Sequence, residues 1–129
     1  SREELLAQSD FISMHLLLNE DTRKSINADF FKKMKNSAIF VNTARGGLVD
    51  EDALIEALRT GEIAGAALDV LTEEGIDKDA PLQKFDNVII TPHAAWYSEQ
   101  AFYTLLTSAA QEVVRALHGE PVKNQVNHF

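Results

Sequence analysis

Ser37-Ala38-Ile39-Phe40-Val41-Asn42, running straight into Thr43-Ala44-Arg45-Gly46-Gly47, is the stretch that decides the fold. It is a short apolar run that stops on polar, ligand-capable side chains and a pair of glycines, as a buried strand does when it reaches a sheet edge. Three other runs share this form. Asp10–His15 (DFISMH) ends on His15, Ile63–Asp69 (IAGAALD) ends on Asp69, and Asn87–Pro92 (NVIITP) leads into His93. Segments of helical periodicity lie between them, and this alternation predicts an α/β fold with a parallel sheet of about four strands and flanking helices. Ligands of open parallel sheets bind beyond the carboxyl ends of the strands, so His15, Arg45, Asp69 and His93 are expected along one rim.

The intervening segments carry helix signals. Ser1-Arg2-Glu3-Glu4 has the capping-box pattern, and a helix at the first residue suggests that the chain starts within a larger architecture. Asn27 is the expected cap of a helix bearing Phe30, Phe31 and Met34. Asp50 is the expected N-cap of the next helix and Gly61 its C-terminal stop, with Leu54, Ile55 and Leu58 as the buried stripe. Thr72–Pro81 reads as a polar, turn-rich connection. The last helix is expected from Ser98 to His118, ended by Gly119 and Pro121, with Phe102, Leu105, Leu106, Ala109, Val113 and Leu117 as its core face. Residues 119–129 form a tail without periodicity.

The chain has 129 residues, enough for one domain that buries about two-thirds of its unfolded surface. Its 12 basic and 20 acidic residues give a net charge of −8, which argues against a nucleic-acid or anionic-membrane partner. It has no cysteine, which removes disulfides and thiolate metal sites. No apolar stretch approaches the ~18 residues of a membrane span, and no signal-peptide pattern opens the chain. A cytoplasmic setting is the expectation.

Each candidate site residue has a functional and an ordinary reading. Arg45 is a rigid guanidinium fork suited to gripping a carboxylate, and the glycines after it let a backbone approach closely. An isolated Arg-Gly-Gly is more often a surface arginine in a tight turn. His93, held behind Pro92, suits general acid–base work, although a single histidine is more often structural. A carboxylate such as Glu74 beside it would orient the ring and favour its charged form, while most loop glutamates are simply solvated. Asp69 ends an apolar run and so needs a hydrogen-bonding or charged partner. His15, His93 and Asp69 could in principle ligate a metal, but no H-E-x-x-H spacing occurs, and no metal is expected. Neither a nucleophile elbow nor a G-x-G-x-x-G loop is present. Gly61-x-x-x-Gly65 straddles a helix end and a strand and carries nothing.

Taken together, Val41–Asp50 (VNTARGGLVD), Ala64–Val70 (AGAALDV), Thr91–Trp96 (TPHAAW) and Ser9–His15 (SDFISMH) resemble the D-isomer-specific 2-hydroxyacid dehydrogenases over nearly the whole chain. Ala94–Ala101 is most similar to the C-terminal-binding-protein branch and its bacterial relatives. The resemblance implies the second half of a Rossmann-type NAD-binding domain. It implies NAD as cofactor, with NADP not excluded, and a small 2-oxo or 2-hydroxy acid as substrate. Arg45 matches the arginine that binds the substrate carboxylate and carbonyl, His93 the proton donor, and Glu74 its carboxylate partner. Leu16 to Thr22 would border the adenosine ribose, Thr43 and Ala44 the nicotinamide ribose, and Asp69 the carboxamide. His93 and Trp96 would line the nicotinamide and substrate site, a core anchor being the equal alternative for Trp96.

The sequence also departs from the family. Gly75 follows Glu74 where a proline is common. The Gly-rich fingerprint, the acidic residue that selects NAD, and most of the substrate domain lie outside residues 1–129. The chain is therefore expected to be the C-terminal part of a dehydrogenase, nearly inactive alone, within a homodimeric enzyme. Two alternatives stand beside this. One is an NAD-sensing corepressor of the C-terminal-binding-protein type. The other is a self-associating inactive fragment, pairing through the exposed edge of Asp10–His15.

Overall fold

The computed structural model describes residues 1–73, 75 and 80–127. It divides the chain into two compact units, Ser1–Ala95 and Trp96–Phe129. In the first, the order is α1 (Arg2–Gln8), β1 (Phe11–Met14), α2 (Ala28–Lys32), β2 (Ile39–Asn42), α3 (Glu51–Thr60), β3 (Gly65–Leu68) and β4 (Val88–Ile90). All four strands are parallel, in the spatial order β1-β2-β3-β4. The α/β alternation and the Rossmann-type half-sheet expected from the sequence are present, and every strand ends within two residues of its expected limit.

Helix ends follow the chemistry of their caps. Ser1 accepts the N–H of Glu4 while the Glu4 side chain returns to the chain's N-terminal amine, closing the capping box. Asn27 caps α2 through Phe30 N–H, and Gly61 ends α3 at φ 73°, a left-handed conformation that glycine adopts without steric cost. Asp50 differs from expectation. It stands at the N-cap position of α3, but its carboxylate makes no cap hydrogen bond and pairs instead with Lys24 Nζ at 3.6 Å. The connection from β3 to β4 contains a 3-10 turn, Pro81–Lys84, in place of an α-helix among its described residues.

The core lies on one side of the sheet. Ile12, Phe40, Ala66 and Leu68 face it, with Phe31, Leu54, Ala57 and Leu58 from the helices above. Phe30, Phe31 and Phe40 pack edge to face with centroids 5.4–6.1 Å apart, the arrangement aromatic quadrupoles favour. Ile55 of the expected stripe is only half-buried, and Ala57 takes its place. On the opposite sheet face Phe11 and Ile89 of the two outer strands are 69% and 67% exposed, and Ile39, Val41 and Ala67 of the inner strands are half-buried, although parallel sheets ordinarily are covered on both faces. The strand β1 forms one lateral edge.

The second unit is built on α4 (Glu99–Leu117). Ser98 caps it through Ala101 N–H and His118 closes it, as the sequence indicates. Its expected core face is not buried. Phe102, Leu105, Leu106, Val113 and Leu117 are all exposed, because one helix and a short tail have nothing to enclose an apolar stripe. The tail is tied back where Lys123 N–H donates to Glu112 Oε2 at 2.8 Å. Among the described residues, no helix is long and apolar enough to cross a membrane.

Candidate active site

The carboxyl ends of the four strands carry the expected rim residues of the first unit. His15 follows β1 and lies exposed, its Nε2 2.9 Å from Ser13 Oγ. The loop from Leu16 to Thr22 is closed on itself: Thr22 Oγ1 donates to Leu17 O at 2.7 Å, and Thr22 N–H to Asn19 Oδ1 at 2.9 Å. The Thr22 hydroxyl is thus engaged within the loop. A cavity of about 340 Å³ brings His15, Leu16, Leu17, Ala44 and Arg45 together between the exits of β1 and β2. Thr43 lies exposed at the start of the β2 exit turn.

Arg45 is exposed, and its Nη1 donates to Ala44 O at 2.6 Å, folding the guanidinium back over its own turn. Beneath it is a residue that sequence reasoning passed over. Asn42 is completely buried, and its amide reaches both Ala44 N–H (3.1 Å) and Arg45 O (3.0 Å). The available signal was a polar side chain on the buried side of an otherwise apolar strand. Residues 24–26, also unread in the sequence, support the turn from outside. Lys24 N–H donates to Gly47 O and Ile26 N–H to Leu48 O, forming a parallel bridge with Val49.

Asp69 is the buried carboxylate the sequence marks as needing partners, and it has them. Its Oδ1 accepts the Thr91 hydroxyl at 2.5 Å and Ala94 N–H at 2.8 Å, and its Oδ2 accepts Ala95 N–H at 2.9 Å. Burial alone would raise its pKa. The hydrogen bonds from Thr91, Ala95 and Ala94, with the nearby His93, outweigh burial and hold the carboxyl below its ordinary range. Its main-chain oxygen accepts His93 N–H at 2.9 Å. His93 is thereby held at φ 51°, a left-handed backbone uncommon outside glycine. Strain of this kind persists only where the surroundings enforce it, and at functional sites it often serves pre-organisation. His93 is half-buried and lines a cavity of about 170 Å³ with Asp69, Leu71, Gly75, Ile90 and Pro92.

The arginine turn meets the loop that follows β3 through Gly46. A Cβ built there would lie 2.0 Å from the carbonyl carbon and oxygen of Leu71, the residue that lines the His93 cavity. Glu51, at the start of α3, accepts the N–H of Thr72 in the same loop. Arg45 and His93 therefore stand on one sheet edge, linked through the loop after β3, which packs on Gly46 and whose Asp69 carbonyl accepts the His93 N–H. Glu74, the expected carboxylate partner of His93, lies outside the described residues. Trp96 belongs to the second unit, 46% exposed and packed edge-on against Tyr97. Among the described residues no three His, Asp or Glu side chains are grouped to hold a metal.

The geometry fits part of a nicotinamide dinucleotide. The apolar walls of Leu16, Leu17 and Ala44 suit a ring or ribose, and Asp69 Oδ2, which accepts one hydrogen bond among the described residues, has the chemistry to take an amide donor. A pyrophosphate needs a glycine-rich turn opening a helix, which these residues do not contain.

The family model described as "D-isomer specific 2-hydroxyacid dehydrogenase, NAD binding domain" matches residues 1–95. Glyoxylate/hydroxypyruvate reductase B of Cronobacter sakazakii is 43% identical over 125 residues, 97% of this chain and 39% of its own. Glyoxylate reductase of Aeropyrum pernix is 44% identical over 127 residues, 98% of this chain and 38% of its own. The chain thus spans about two-fifths of the length of these relatives. Among solved structures, D-lactate dehydrogenase with NAD+ from Lactobacillus jensenii superposes with a TM-score of 0.87 at 35% identity, covering 98% of this chain and 42% of that one. A D-isomer specific 2-hydroxyacid dehydrogenase from Xanthobacter autotrophicus in complex with NADPH and MES superposes with a TM-score of 0.80 at 40% identity, covering 97% and 51%.

Proposed function

Because the chain belongs to the D-isomer specific 2-hydroxyacid dehydrogenase family, we propose that it is the C-terminal part of the cofactor domain of an NAD-dependent reductase of small 2-oxo acids. The observation that carries this is the contact of Gly46 with Leu71, which sets the Arg45 turn against the loop that follows β3, whose first residue, Asp69, accepts the His93 N–H. An anion-gripping side chain and a proton-transferring one then share a rim, as carbonyl reduction requires.

Arg45 binds the substrate carboxylate through paired charge-assisted hydrogen bonds and polarises the adjacent carbonyl. A protonated His93 gives its proton to the carbonyl oxygen as the C=O π bond breaks, and Glu74 orients the imidazole and stabilises its charge. The nicotinamide, when bound, supplies the hydride to C2, so that a 2-oxo acid becomes a D-2-hydroxy acid and the cofactor is oxidised. Leu16, Ala44, Thr43 and Asp69 are the residues of this chain that would hold it, with Thr22 shaping the loop. NAD is proposed over NADP.

A metabolic reductase is favoured over a corepressor because the similar proteins are named as reductases of small acids. Residues 1–129 alone are expected to show almost no turnover, since the pyrophosphate cradle lies outside them. The test is steady-state oxidation of NADH by glyoxylate and by hydroxypyruvate, run on the 129 residues and on the polypeptide that includes the pyrophosphate-binding half. Turnover by the longer protein that falls at least a hundredfold in Arg45→Ala and His93→Ala supports the reading. Full activity in either variant, or no reduction of any 2-oxo acid by the longer protein, overturns it.

A further inference from the structure

We propose that Asn42 is the positioning residue for Arg45: a fully buried amide that fixes the arginine turn and so makes the site selective for carboxylate-bearing substrates. This rests on the role given to Arg45 above. Asn42 ends β2, and no part of it is exposed. A buried amide must satisfy both its donor and its acceptor, and this one does so on two consecutive residues. Its oxygen must face Ala44 N–H and its NH2 must face Arg45 O, since neither partner could bond the reverse orientation. The chain from Asn42 to Arg45 is thereby closed from inside at two points.

No other common side chain fills this place. Aspartate has the acceptor for Ala44 N–H but turns an oxygen towards the carbonyl of Arg45. Leucine has a similar volume and leaves two main-chain groups unpaired. Serine can accept from the residue two positions on, as in a short hydroxyl turn, but does not reach Arg45 O. Asn42 is also joined to the histidine side, because its main-chain oxygen accepts Asp69 N–H at 2.9 Å. One residue therefore registers the Arg45 backbone against the strand that carries Asp69. Asn42 does not touch substrate in this scheme. It acts through the direction of the guanidinium.

The decisive readout compares a substrate with a carboxylate against one without. In the polypeptide that includes the pyrophosphate-binding half, kcat/KM is measured for glyoxylate and for glycolaldehyde in Asn42→Asp, Asn42→Leu and Asn42→Ser. The preference for glyoxylate is expected to fall at least tenfold in the first two and less in Asn42→Ser, which keeps the bond to Ala44 N–H without turning a charged oxygen on the Arg45 carbonyl. Amide exchange at Ala44 is expected to quicken at least tenfold in Asn42→Leu. Should Asn42→Asp and Asn42→Leu fail to fold, Asn42→Ser decides by the same ratio. An unchanged preference, with both substrates slowed equally, overturns the proposal. If the unsubstituted protein reduces no 2-oxo acid, the dehydrogenase reading fails by itself. Ala44 exchange then decides Asn42 separately: quickening keeps it as the organiser of the turn, and unchanged protection removes it.

Discussion

Asp69 and Thr91 are joined by a hydroxyl-to-carboxylate hydrogen bond of 2.5 Å, and through it the end of β3 holds the turn that carries His93. A hydrogen bond to a buried charge contributes about 1.5–3 kcal/mol. Thr91→Val should therefore lower unfolding stability by about that amount, while Thr91→Ser, which keeps the hydroxyl, should stay within about 0.5 kcal/mol. Urea unfolding followed by circular dichroism makes the comparison. Equal loss in both variants would deny the hydroxyl its role.

The same carboxylate gives the fold an acid dependence. Asp69 lies below its ordinary pKa in the folded chain. Its contribution is therefore complete above the unfolded value, about pH 4, and is lost as pH falls through the lower folded value. Asp69→Asn should be less stable at neutral pH, and its stability should decline less steeply as the pH is taken from neutral to below the unfolded value. Unfolding midpoints measured across that range would show two curves converging towards acid. Parallel curves would contradict the assignment.

Gly46 and Gly61 make opposite predictions about why a glycine is needed. At Gly46 a methyl group would collide with the Leu71 main chain, which no side-chain rotation relieves. Gly46→Ala should cost about 3 kcal/mol or more, at the upper end of overpacking penalties. At Gly61 there is open space around a left-handed backbone, so Gly61→Ala should cost about 1–2 kcal/mol from conformation alone. Chemical denaturation of the two variants orders them.

Two phenylalanines, one buried and one exposed, make contrasting predictions. Phe31 is fully buried within the aromatic trio, and Phe31→Ala should cost about 3–5 kcal/mol. Phe11→Ala, at an exposed position on β1, should lie within about 0.5 kcal/mol of the unsubstituted chain. Thermal unfolding of both variants is the check.

Much of this was legible in the sequence because the signals are local. The run Ser37–Asn42 contains β2, and Ser1, Asn27, Gly61 and Ser98 mark helix ends through bonds to residues a few positions away. The need of Asp69 for partners was visible in its position, whereas the partners themselves, Thr91, Ala94 and Ala95, come from another strand exit. Asn42 was missed because a polar residue ending a strand ordinarily faces solvent. The exposure of Phe11, Ile89 and the stripe of α4 was illegible for a different reason: periodicity reveals which side of an element is apolar, not whether anything covers it.

The collision space at Gly46 has one more consequence. Where two loops are spaced by side chains, substitutions can draw them apart or together by small steps. Here peptide atoms of the Arg45 turn rest on peptide atoms of the loop that follows β3, so the interval between those two segments is a fixed gauge. Diversification of the acid accepted at this rim must then come from whatever walls the substrate, while the gauge itself stays constant.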